Sequence, residues 1–168
     1  FERGTSQDQN YFDSSLYYHR MALNYRKEIN AEPDMAESYI SIGNIYSEKN
    51  NFHKALYYYN LGKTVYNRLE NYAGLSALLY NIANMHIKNN EPELAISNYK
   101  NSIEVAERIN NPELMQVNYY AIAEAYALKQ DFKNAYEYSN KHNIVADSIN
   151  NLENNKQIAE ISTNYESQ

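Results

Sequence analysis

Apolar residues recur along the chain at helical spacing, and the pattern returns after forty positions. Tyr39, Ile42, Gly43 and Tyr46 stand at i, i+3, i+4 and i+7, one stripe on a helix. Strands would alternate, and these positions do not. After the polar break Lys49-Asn50-Asn51 comes a second stripe, Phe52, Ala55, Leu56, Tyr59, Val65 and Leu69. The first stripe is rewritten as Leu79, Ile82, Ala83 and His86, and again as Tyr119, Ile122, Ala123 and Tyr126. Ser15, Ala55, Ala95 and Ala135 share a column of small residues in the second. An apolar residue followed by a polar break marks the same register at Ile29-Asn30-Ala31, Leu69-Glu70-Asn71, Ile109-Asn110-Asn111 and Ile149-Asn150-Asn151.

This spacing predicts a run of antiparallel helix pairs. A lone second helix is expected over 8–30, then pairs at 34–49 with 52–70, 73–89 with 91–110, and 113–129 with 131–151, and a last helix from 153 onward. Asn90, standing before Glu91-Pro92, is the expected N-cap of one of these helices, with proline in the first turn, where its missing N–H costs nothing. The domain organisation that follows is a disordered or tag-proximal lead over 1–7, an array over 8–151 with units near 36–75, 76–115 and 116–151, and a terminal helix over 152–168 that would lead into a further domain. Small residues recur where two helices must approach, and large ones where the gaps between pairs must be filled.

These columns resemble the tetratricopeptide repeat (TPR), whose signature runs aromatic-x2-L-G-x2-Y and then A-x3-F/Y. Tyr39-Ile42-Gly43-Tyr46 with Ala55-Tyr59 matches closely. Leu79-Ile82-Ala83-His86 with Ala95-Tyr99 is looser, and Tyr119-Ile122-Ala123-Tyr126 with Ala135-Ser139 loses the last aromatic. The forty-residue step exceeds the family's usual length, as in its longer-repeat branch. The fold this implies is an all-α superhelix of antiparallel helix pairs, a TPR solenoid.

A second resemblance lies in ADSINNLENNKQIAEISTNYESQ. Asp147, Ser148, Ile149, Asn155, Ile158, Ala159, Glu160, Tyr165 and Glu166 are similar to the segment that closes TPR arrays in membrane-bound sensors of the Bacteroidetes. There the helix leads to a membrane span and then to a histidine kinase or a LuxR-type DNA-binding domain. The resemblance implies the periplasmic sensor region of an inner-membrane protein, with the cytoplasm as the alternative.

Composition narrows the function. The chain has 168 residues, a formal net charge of −6 and a pI near 5.2, which argue against a nucleic-acid footprint. Without cysteine there is no disulfide framework, thiolate zinc site or thiol nucleophile. No stretch is apolar enough to cross a bilayer, so a membrane would enter only through segments outside this sequence. The N-terminus FERGTSQDQN has neither Met nor a signal-peptide pattern and reads as part of a longer or processed protein.

Candidate chemistry is sparse. His19, His53, His86 and His142 are scattered without ligand spacing, and His86 occupies the column of Tyr46 and Tyr126, so an interior ring with a polar tip is expected there. No phosphate loop, nucleophile elbow or zinc-protease motif is present. No catalytic residue, metal ligand or cofactor site is therefore expected. What the TPR resemblance implies is a concave groove lined by the first helix of each pair. Ile40, Tyr80 and Tyr120 would point into it, with Asn44, Asn84, Glu124 and Asn164 one turn later. Amides could hydrogen-bond an extended peptide while the tyrosine rings supply rigid apolar area. The family's charged clamp for C-terminal carboxylates needs Lys or Arg in the first of these columns, and they are absent. The expected partner is a peptide or protein segment and the expected role recognition in a bacterial signal-transduction regulator. A cytoplasmic peptide-pheromone receptor and a passive scaffold or homodimerisation module are the rivals.

Overall fold

The computed structural model describes the backbone of residues 3–166 and the side chains of residues 10–160. Among the described residues it contains seven helices: α1 (Arg3–Glu28), α2 (Glu32–Glu48), α3 (Phe52–Arg68), α4 (Tyr72–Lys88), α5 (Pro92–Arg108), α6 (Pro112–Leu128) and α7 (Phe132–Glu166). α2 packs with α3, α4 with α5 and α6 with α7, and α1, α3 and α5 pack on the first helix of the following pair. First helices also touch directly, α2 with α4 and α4 with α6. This is a TPR-like solenoid, in which each pair is stabilised by its neighbours rather than by a central core.

Each pair closes through small residues. A Cβ added at Gly43 would lie 2.6 Å from the Tyr59 ring and 3.3 Å from the Ala55 carbonyl, so glycine is what lets that ring lie flat on α2. Ala55 and Ala95 are fully buried at equivalent places in α3 and α5, and Ile42, Ile82 and Ile122 fill equivalent core positions in α2, α4 and α6.

The connections fall where the breaks in the sequence predict them and share one backbone form. Asn30, Asn50, Glu70, Asn90, Asn110 and Gln130 all have positive φ, between 51° and 60°, so the chain turns every twenty residues. In each break the residue after the left-handed one donates to the carbonyl five positions back, as Asn51 N–H does to Tyr46 at 2.8 Å and Asn111 N–H to Ala106 at 3.0 Å. That is a Schellman closure, with asparagine, which tolerates the left-handed region, at four of the six positions. The donor then caps the next helix: Asn51, Asn71, Asn111 and Asp131 accept from the backbone N–H three residues on. Asn90 is therefore not an N-cap as the sequence suggested. It carries the left-handed turn, and Glu91 stands at the cap without a side-chain bond to the backbone of α5.

Two boundaries differ from expectation. The lead over 1–7 is helical from Arg3, continuous with α1. The break expected at 149–151 does not form, and α7 runs unbroken from Phe132 to Glu166. Residues 151–160 are all exposed, so little burial is gained there to offset the cost of a left-handed residue, about 1 kcal/mol or more. Nor does a proline follow, as Pro112 follows Asn111, to push the preceding residue out of the helical region.

Candidate functional site: a first-helix face with a tyrosine-walled depression

The first helices α2, α4 and α6 lie side by side and form one face with two adjoining depressions. The larger, about 520 Å³, lies between α4 and α6 and is walled by Tyr80, Tyr99, Tyr120, Ile87 and Leu128, with Asn84 and Glu124 on its polar side. The second, about 460 Å³, lies between α2 and α4 and is more polar, lined by Asn44, Ser47, Glu48, Asn81 and Lys88 over Tyr59 and Met85. Asn84 and Ile87 belong to both, which makes the two continuous.

The floor is held by a bond repeated across the α2–α3 and α4–α5 pairs. Tyr59 donates its hydroxyl proton to Asn44 Oδ1 at 2.7 Å, and Tyr99 donates to Asn84 Oδ1 in the equivalent position. Burial pushes the Tyr59 phenol up to about 12, and burial raises Tyr99 as well, assisted by the nearby Tyr80 and Glu124. Both rings are therefore neutral donors in ordinary conditions, and both asparagine amides are oriented with their oxygens spoken for.

The third pair departs from this scheme. Its asparagine is replaced by Glu124 and its tyrosine by Ser139, whose side chain is too short to span the gap. Glu124 instead accepts from Tyr120 on its own helix at 2.8 Å, and that bond, followed by the carboxylate's charge, raises the Tyr120 phenol. Tyr120 also lies 5.6 Å from the His142 ring, and Tyr80 lies 5.7 Å from Tyr99.

Of the residues singled out from the sequence, Tyr80, Asn84, Tyr120 and Glu124 meet in the larger depression, and Asn44 lines the smaller. Ile40 lines neither. It is half-buried against the core and covers Gly62, where an added Cβ would lie 3.2 Å from Ile40 Cγ1. The Asn164 side chain lies outside the described residues. Sequence reasoning missed Ser47, Ile87 and Leu128. They stand one turn beyond the Asn44, Asn84 and Glu124 column, and carrying the helical spacing one step further would have reached them.

His86 is an interior side chain. Its Nδ1 lies 2.7 Å from Glu91 Oε2, and this hydrogen bond, with one from Asn89, holds the Glu91 carboxyl below its ordinary range. Among the described residues no group of three or more His, Asp or Glu side chains is placed to hold a metal ion, and no helix is long and apolar enough to cross a membrane.

No family model matches the sequence, nor does any curated protein sequence. Solved structures do match the fold. Aspartyl phosphate phosphatase F from Bacillus subtilis superposes with a TM-score of 0.77 at 18% identity, over 86% of this chain and 39% of that one. BtubC (BKLC) from P. vanneervenii gives 0.74 at 15% identity, over 84% and 59%. Nearly identical TPR-like repeats of a Podosopora anserina protein give 0.67 at 9% identity, over 85% and 70%. At these identities the likeness is one of fold, and the chain spans about two fifths of the phosphatase and three fifths of BtubC.

Proposed function

We propose that this chain is a recognition module that binds an extended peptide or protein segment along the concave face of α2, α4 and α6. The observation that carries the reading is the continuity of the two depressions through Asn84 and Ile87, an apolar tyrosine-walled well beside an amide-lined shelf. Such a surface suits a side chain of the bound segment in the well and a backbone bonded along the shelf. In a larger bacterial regulator, a sensor kinase or a transcriptional regulator, occupancy would bias the curvature of the array. The unbroken α7 supports this role, because it is one rod of 35 residues continuous with the last pair.

A pooled library of acetylated, amidated hexapeptides tests the reading. Binding to the native chain is expected, with affinity reduced about tenfold or more by Leu128→Ser together with Tyr120→Ala, as for loss of an aromatic anchor. Retained affinity in the double variant would remove the concave face from consideration.

Self-association is the second reading, favoured by α1. Tyr11, Tyr18, Met21 and Tyr25 are exposed at i, i+7, i+10 and i+14, a single face of that helix. Sedimentation showing a concentration-dependent dimer that Tyr18→Ser with Tyr25→Ser dissolves would support it, and a monomer throughout would exclude it.

A further inference from the structure

Resting on the concave-face reading, we infer that the well between α4 and α6 takes a cationic side chain, lysine or arginine, of the bound segment. Three observations converge. The walls are tyrosine rings, whose faces attract cations. Elsewhere in the molecule such rings already hold the protein's own cations: Lys54 lies 5.3 Å from the Tyr46 centroid, Lys141 4.8 Å from Tyr138 and Arg108 4.6 Å from Tyr72. Among the described residues no such cation stands over Tyr80, Tyr99 or Tyr120.

The second observation is Glu124. It is exposed in the well and has no basic partner among the described residues; its hydrogen bond comes from the neutral Tyr120 hydroxyl. The nearby lysines are committed to other carboxylates, Lys88 to Glu48 and Lys129 to Glu93. A cation entering the well therefore meets an unneutralised carboxylate.

The third is the broken repeat. At the equivalent positions Asn44 and Asn84 are tied across the pair by Tyr59 and Tyr99, and only at the third does the chain place a charge and withdraw the tyrosine that would bind it. The exchange frees a carboxylate at the rim of an apolar well. A lysine or arginine fits this shape: its alkyl stem lies along Leu128 and Ile87 and its head reaches Glu124 between the rings.

The test is a positional-scanning set of acetylated, amidated hexapeptides, one fixed position holding lysine, arginine, norleucine, citrulline or glutamate. The lysine and arginine sets are expected to bind about tenfold more tightly than norleucine and citrulline, with the advantage falling at high salt. Glu124→Gln should abolish that preference, and Glu124→Lys should reverse it toward the glutamate set. Equal binding of norleucine and lysine, or a lysine preference that survives Glu124→Gln, overturns the inference and leaves the peptide reading standing. Failure of every set to bind overturns both.

Discussion

The tripeptide Ile-Asn-Asn ends α5 at 109–111 and lies inside α7 at 149–151. In the first place Asn110 turns left-handed, Asn111 caps α6 and Pro112 begins it. In the second the same residues are helical, Leu152 stands where the proline would be, and ten successive residues from 151 are exposed. A break costs backbone strain, and it persists where the following helix gains enough by packing back. The body of the array and its terminal rod are thus governed by different balances, although their local sequences coincide.

The largest expected contrast is in stability. Ile122 is fully buried between α6 and its neighbours, so Ile122→Ala should cost about 3 kcal/mol in urea unfolding, whereas Leu152→Ala, on the exposed rod, should stay within about 0.5 kcal/mol. Equal losses would mean that the rod is packed like the body.

A finer test uses one substitution with opposite signs. Asn110→Ala forces an alanine into the left-handed region and should destabilise by about 1 kcal/mol. Asn150→Ala removes a poor helix former from a helix interior and should favour α7 by about 0.5 kcal/mol, read by circular dichroism and amide hydrogen exchange of the rod. Matching signs would show that the two tripeptides are not in different states.

The smallest effect distinguishes one break from the others. At 89–91 the Glu91 side chain bonds His86 and caps no backbone N–H, and that bond depresses the Glu91 carboxyl. Its contribution is present above the unfolded carboxyl value, near 4.5, and is lost as pH falls through the lower folded value. Glu91→Gln should therefore lower stability at neutral pH and flatten the acid side of the melting profile; an unchanged acid slope would separate the bond from folding.

The columns that revealed the fold do so because equivalent residues meet equivalent surroundings. Ile42, Ile82 and Ile122 are each buried, and the alanines at 55 and 95 each admit the partner helix. The breaks every twenty residues were legible, but their shared left-handed conformation was not, because it falls on Glu70 and Gln130 as well as on the asparagines. The end of α7 was illegible for a sharper reason: local residues cannot report whether something beyond them packs. In the groove, the Tyr80, Tyr120 and Glu124 columns lead to the larger depression, while Ile40 is drawn inward by Gly62, a small residue on the partner helix that a single-helix pattern does not register.

The most direct measurement of the binding claim is amide chemical-shift mapping of the isotopically labelled chain titrated with the pooled hexapeptides. The account predicts perturbations that concentrate on Asn44, Asn84, Ile87 and the 120–128 segment. Shifts confined to the tyrosine face of α1, or no shifts on α4 and α6 under conditions where the peptides bind, would contradict it.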